Sequence, residues 1–202
     1  MCAFGTAHAN LIIDGGFNAG APPNPPGYET VAPGNNTTIA DWTVTGAGNG
    51  VTWASSSDYQ APVSGQYSVV FNGTSAAGIS QSLATTVGTT YDVTFYLSGT
   101  PTSGTRTVDV TAGSVFQEDF SYTGTTSKAN MNYQLESFSF TATTASTSLV
   151  FGGPAPGGPG TSVPVIGDVD VEPAAAVPLP PTLLFFAPGL LGLVGIRRRL
   201  KK

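Results

Sequence analysis

The chain has 202 residues, of which 9% are charged, and a formal net charge of −5. Its single cysteine and single histidine are Cys2 and His8, so the rest of the chain has neither a thiol nor an imidazole. Disulfides, Ser-His-Asp or Cys-His catalysis and His/Cys zinc sites are therefore excluded there. Before the C-terminal basic cluster, only Arg106 and Lys128 stand against all 12 acidic residues, a formal charge of −10. Nucleic acid is not an expected partner, because phosphate binding requires a basic patch.

The N-terminus carries a signal-peptidase pattern. The small residues Ala7 and Ala9 precede Asn10, which is the A-x-A arrangement that this peptidase reads. Residues 1–9 are therefore predicted to be the remnant of a signal peptide, and the mature chain is predicted to begin at Asn10. No basic or apolar region precedes the pattern, which indicates that Met1 is a truncated or misassigned start. The alternative is an ordinary flexible N-terminus.

Residues 10–172 have the size of one domain and contain short runs in which apolar and polar residues alternate. Runs of this kind, bounded by turn-forming residues, predict an all-β fold, a two-sheet sandwich of jelly-roll type. Trp42 is predicted to lie in its core, and 102–105 to form a hairpin connection. The predicted strands lie at 67–71, 79–83, 91–97, 107–110, 138–140, 149–151 and 169–171.

The same region resembles a known family. The resemblance rests on six segments in order: NLIIDGGFN (10–18), WTVT (42–45), GQYSVVFNG (65–73), GISQSL (78–83), TYDVTF (90–95) and IGDVDV (166–171). Together they are similar to the choice-of-anchor C family, whose domains look like galactose-binding-type β-sandwiches. The resemblance implies this fold and a surface-anchored location.

A structural calcium ion is also implied by resemblance. In related carbohydrate-binding sandwiches, acidic groups after the first strand and within the last strand help to hold calcium. The parallel residues here are Asp14, Asn18 and Asp168. Two departures weaken the site, because Asn18 replaces a glutamate and Gly167 replaces the first acid of the last-strand motif. The alternative is that these acids are simply solvated at paired strand ends.

A glycan-binding site is predicted around the loop 55–58. Trp53 and Tyr59 flank this loop, and Asp58 lies within it. An exposed ring can stack on a sugar face while a carboxylate accepts hydrogen bonds from sugar hydroxyls. The alternative for both aromatic residues is packing in the core or at a sheet edge.

Catalysis is not predicted. Without histidine or cysteine, the remaining route is a pair of carboxylates, as in a glycosidase. The sequence indicates no pairing among the candidate acids, which are Asp58, Glu118, Asp119 and Glu136.

The C-terminal region has the layout of a membrane segment. A linker, 173–181, leads into an apolar segment, 182–196, which is predicted to be a single C-terminal transmembrane helix. The tail, 197–202, is predicted to be cytoplasmic because basic residues fix that side of the membrane. The basic residues are Arg197, Arg198, Arg199, Lys201 and Lys202.

This layout resembles the PEP-CTERM sorting signal. The linker contains Val177, Pro178, Leu179 and Pro180, which match the VPLP form of its motif. The resemblance implies an exosortase-type processing enzyme as a partner, an intermediate in the inner membrane, and delivery to the cell surface or the extracellular matrix. The alternatives are an ordinary C-terminal anchor and a buried core helix.

The sequence thus predicts a secreted protein, associated with the surface or the matrix, with an adhesive or structural role. Weak binding of an extracellular polysaccharide fits this reading. Two alternatives stay open, a carboxylate-dependent enzyme that acts on glycans and a structural protein with a plain membrane anchor.

Overall fold

A computed structural model describes residues 9–20, 27–63, 66–71, 76–153 and 162–175. These residues form β-strands and contain no helix, so none is long and apolar enough to cross a membrane. The predicted transmembrane segment, 182–196, and the sorting motif lie outside them. The strands are β1 (Tyr28–Val31), β2 (Thr43–Gly46), β3 (Val51–Ala54), β4 (Ser68–Val70), β5 (Ala77–Ala84), β6 (Thr90–Gly99), β7 (Ser103–Ala112), β8 (Phe116–Thr125), β9 (Gln134–Thr141), β10 (Ser146–Gly152) and β11 (Pro164–Pro173).

The strands form two antiparallel sheets. The six-stranded sheet has the order β1-β3-β4-β11-β6-β9, and the five-stranded sheet has the order β2-β5-β10-β7-β8. The predicted all-β sandwich is confirmed. Each of the seven predicted runs overlaps one of the strands β4 to β7 or β9 to β11.

The core lies between the two sheets and follows from the alternation along each strand. In β6, the residues Tyr91, Val93, Phe95 and Leu97 are all buried. The Phe95 ring meets the Phe151 ring of the opposite sheet edge-on, with 5.1 Å between centroids. Trp42 is also fully buried, as predicted. Tilted and edge-to-face aromatic contacts of this kind add to the free energy gained by burying apolar area.

The predicted hairpin at 102–105 is wrong. β6 ends at Gly99 in the six-stranded sheet, and β7 begins at Ser103 in the five-stranded sheet, so this connection crosses between the sheets. The hairpin next along the chain joins β7 to β8 instead. Its turn contains Gly113, whose φ of 55° lies in the left-handed region that glycine adopts without strain.

A smaller apolar cluster covers one end of the six-stranded sheet on its outer face. Ala54, Val70 and Val165 pack there against Met131, which lies in the connection between β8 and β9. The Ser98 hydroxyl fixes that connection by donating a hydrogen bond to the Met131 carbonyl oxygen. The outer face of the five-stranded sheet differs, because residues such as Gln117, Ser121 and Thr123 are exposed along β8.

Candidate functional site

Trp53 is not an exposed sugar platform, so this part of the predicted glycan site is wrong. All four residues of β3 are buried, and Trp53 is 2% exposed. Its indole Nε1 donates a hydrogen bond of 2.9 Å to the Phe17 carbonyl oxygen, and its ring meets the Tyr67 ring edge-on. A side chain enclosed on both faces cannot stack on a ligand.

Asp58 and Tyr59 are engaged with Lys128. The Lys128 ammonium forms an ion pair with the Asp58 carboxylate and lies 5.3 Å from the centroid of the Tyr59 ring. Hydrogen bonding to Asp58 raises the pKa of Lys128, and burial of the Tyr59 hydroxyl raises the pKa of that group. The structure therefore brings Asp58 and Tyr59 together, but a cation of the chain itself already occupies them.

Asp14 is held by its own loop. Its φ is 53°, and its Oδ1 accepts hydrogen bonds from the backbone N–H groups of Asn18 (2.7 Å) and Ala19 (3.0 Å). Burial raises the pKa of Asp14, the two backbone hydrogen bonds lower it, and the charge of Asp41 raises it. Its Oδ2 is buried and has no hydrogen-bond partner within the described part of the chain.

Asp168 has a different partner. It lies at an irregularity in β11, has a φ of 50°, and accepts a hydrogen bond of 2.8 Å from the Gln66 side-chain amide. The backbone N–H of Val169 donates to the Gly15 carbonyl oxygen, which joins this strand to the loop of Asp14.

Asp14 and Asn18 are thus joined by a hydrogen bond, whereas the Asp168 carboxylate is bonded to Gln66. Calcium takes six to eight oxygen ligands, and the buried Oδ2 of Asp14 could supply one of them. Within the ranges that the structure describes, no three Asp, Glu, His or Cys side chains lie together as a metal site. Calcium binding by Asp14, Asn18 and Asp168 stays a prediction.

A groove on the outer face of the five-stranded sheet is a candidate site that the sequence did not indicate. We call it the outer groove, and its volume is about 440 Å³. A single row of residues in direct register crosses all five strands beneath it. Four steps of about 4.8 Å between strands make this row about 19 Å long. From β2 to β8, the row consists of Thr45, Gly78, Gly152, Asp109 and Asp119.

Two glycines form the floor of the outer groove. A Cβ on Gly78 would lie 2.4 Å from the Phe151 carbonyl oxygen, so this position excludes any side chain. A Cβ on Gly152 would meet nothing closer than the Asp109 carbonyl oxygen, 3.7 Å away. A ligand can therefore approach the backbone at Gly152, and a larger side chain there would fill the groove without striking the main chain.

Two carboxylates lie at one end of the outer groove. Asp109 and Asp119 are directly opposite each other on β7 and β8, and like charges in such a pair repel. The Oδ1 of Asp109 is also buried without a hydrogen-bond partner among the described residues.

The acidic residues that the sequence offered as candidates for carboxylate catalysis do not lie together. Asp58 is paired with Lys128, and Glu136 on β9 has a pKa raised by burial. Asp119 faces Asp109, which the sequence did not indicate as its partner. The sequence contained the information for this pairing, because Asp109 and Asp119 each lie three residues from the strand ends at Ala112 and Phe116. The pairing of Asp109 with Asp119 can be deduced only after the β7–β8 hairpin has been recognised.

These features define a two-sheet β-sandwich with a groove across one outer face. The chain belongs to the family described as protein of unknown function (DUF642), whose model matches residues 10–172. No curated protein matches the sequence.

Several solved structures have a similar fold. TmCBM61 in complex with beta-1,4-galactotriose is 16% identical, with a TM-score of 0.47, and the match covers 66% of this chain and 89% of that one. A structure described as CBM4 is 13% identical, with a TM-score of 0.44 over 65% and 86% of the two chains. A cyclase from Fischerella sp. TAU is 17% identical, with a TM-score of 0.45 over 84% and 100%. At this level of similarity, none of them supports a statement on the ligand or activity of this chain.

Proposed function

We propose that the protein is an exported β-sandwich protein of the cell surface or extracellular matrix that binds glycan weakly through the outer groove. The observation that carries this proposal is the row of Thr45, Gly78, Gly152, Asp109 and Asp119, which joins an open backbone floor to hydroxyl and carboxylate groups. Its adhesive role would follow from many such weak contacts along a polymer.

The chemistry of the surrounding face suits a polyhydroxylated ligand. A hydroxyl offers one donor and two acceptor positions, so a cross-strand hydroxyl pair keeps bonding capacity for a sugar. Such pairs on this face join Thr105 to Thr123, Thr107 to Ser121 and Ser82 to Ser146, with oxygens 2.8, 3.0 and 2.9 Å apart. Binding would then depend on hydrogen bonds rather than on aromatic stacking.

The negative charge of the domain narrows the class of glycan that the outer groove can bind. Residues 10–175 contain two basic side chains and 12 acidic ones. Arg106 is 1% exposed, and the charge of Lys128 is balanced by Asp58, so neither offers an uncompensated positive charge to an anionic ligand. Uronic-acid-rich and sulfated polysaccharides would be repelled. The outer groove therefore suits a neutral or cationic glycan.

Export and sorting form the second part of the proposal. Both rest on the sequence, through Ala7, Ala9 and Asn10 at one end and the VPLP motif, apolar segment and basic tail at the other. We also propose that the domain is related to the choice-of-anchor C family and to galactose-binding-type β-sandwiches, which rests on the same sequence. An exosortase-type enzyme would cleave the tail at the inner membrane and release the domain outward.

The proposed cleavage at both ends of the chain can be tested by measuring the mass of the secreted protein. The secreted protein is expected to begin at Asn10 and to end near Pro178, and mass spectrometry of the intact native form measures both ends. A variant with Pro178→Ala and Pro180→Ala serves as the control and should keep its tail. A secreted wild-type chain that still carries residues 197–202 would instead support a plain membrane anchor.

Glycan binding can be tested at Gly152. The secreted form is expected to bind a neutral polysaccharide, or the exopolysaccharide of its own producer, with micromolar to millimolar affinity, about 4–8 kcal/mol. Gly152→Leu would fill the groove and weaken binding at least about tenfold.

Ser148→Leu is the matched control, because Ser148 is exposed on the same strand and outside the row. Equal binding by Gly152→Leu and wild type would contradict the groove as the site. Release of shorter sugars during the titration would favour the alternative of a hydrolase that uses Asp109 and Asp119.

A further inference from the structure

We propose that Asn49 is a site of spontaneous covalent modification, at which the side-chain amide is lost as ammonia and a carboxylate takes its place. Asn49 is exposed and is followed by Gly50 in the connection between β2 and β3. The reaction needs only water and the two neighbouring residues of the chain. The proposal is therefore independent of glycan binding in the outer groove.

The reaction begins when the backbone nitrogen of Gly50 attacks the side-chain carbonyl carbon of Asn49. A bond forms between these two atoms, the bond from that carbon to the side-chain nitrogen breaks, and ammonia leaves with the proton of the Gly50 N–H. Water then opens the cyclic imide. Opening at the side-chain carbonyl gives aspartate, whereas opening at the backbone carbonyl gives isoaspartate, in which the main chain runs through the former side chain.

Both reacting groups at Asn49 are free. None of the hydrogen bonds among the described residues involves the Asn49 side chain or the Gly50 N–H. Gly50 also has no side chain that could hinder the approach of its nitrogen to the amide carbon. Neither group is therefore held away from the other.

The other asparagines of the described residues are protected by hydrogen bonds. In four of them the attacking nitrogen is engaged, because the next residue donates its N–H to an oxygen at 2.8 to 3.0 Å. In two more, the side-chain amide itself donates to Thr38 or to the Thr125 carbonyl oxygen. The first group is Asn10, Asn18, Asn36 and Asn130, and the second is Asn35 and Asn132.

The fold requires the glycine that makes Asn49 reactive. Gly50 has a φ of 75°, and a Cβ at this position would lie 2.0 Å from the Val31 carbonyl oxygen. A residue with a side chain would be strained and would strike the main chain, so a slower-reacting neighbour cannot replace Gly50. Isoaspartate at position 49 adds a carbon to the main chain at this close contact, directly before the buried Val51.

The test follows the folded, secreted protein during incubation at mildly alkaline pH, because the Gly50 nitrogen must lose its proton in the attack. Peptide mapping with electron-transfer fragmentation distinguishes asparagine, aspartate and isoaspartate at each position. The second Asn-Gly pair, 72–73, lies outside the described residues and is measured as a separate peptide. Asn49 is expected to lose its amide and give both products while Asn36 and Asn130 keep theirs.

Asn49→Gln is the blocking variant, because its longer side chain would have to close a larger ring, which forms far more slowly. It should keep its side-chain amide over the same period. Asn36→Gln is the matched control, since Asn36 is also exposed, and Asn49 should react in it as in wild type. An Asn49 amide that lasts as long as those of Asn36 and Asn130, or that is lost only after the protein is unfolded, would overturn the proposal.

Discussion

Arg106→Met is expected to lower the free energy of unfolding by about 3–5 kcal/mol, measured by denaturant or thermal unfolding. The guanidinium is buried and donates to four backbone carbonyl oxygens at 2.6 to 2.8 Å. Methionine fills a similar volume but donates nothing, so these carbonyl groups would lose their charged partner. Lys128→Met is the matched control, since an exposed ion pair contributes at most about 1 kcal/mol. Equal loss of stability in the two variants would contradict this role of Arg106.

The importance of Arg106 follows from its place in the chain. Its partners Thr100 and Thr102 lie in the connection that crosses from β6 to β7, so the guanidinium holds this connection against the five-stranded sheet. Burial lowers the pKa of Arg106, yet arginine stays protonated in proteins and keeps its donors. The side chain also requires Gly99, where a Cβ would lie 2.0 Å from the Arg106 Nε.

Alternation made the sandwich predictable from sequence. A strand with one face in the core exposes every second residue, and β6 and β10 show this pattern in both the sequence and the structure. β3 has no such pattern, because all four of its residues are buried. Ala54 points away from the main core, but it is covered by the cluster that it forms with Met131. The polar loop that follows β3 was therefore a misleading indication that Trp53 is exposed.

The sites were harder to predict because they depend on register and on connections between distant segments. Asp109 and Asp119 become neighbours only through the β7–β8 pairing, and the glycine floor requires β5 and β10 to align Gly78 with Gly152. Lys128 reaches Asp58 across 70 positions of sequence. Composition showed that cations are scarce, but it could not show that both are already engaged.

Trp53→Ala is expected to destabilise the protein by about 3–5 kcal/mol, because it removes a large core side chain and the hydrogen bond to the Phe17 carbonyl oxygen. Thermal unfolding measures the loss, and any loss of glycan binding should accompany unfolding rather than a missing contact. Tyr28→Ala is the control, since Tyr28 is an aromatic residue on the neighbouring strand β1 and is 43% exposed. It should change stability far less. A Trp53→Ala protein that melts like Tyr28→Ala and yet no longer binds glycan would contradict the buried position of Trp53 and restore a stacking role for its ring.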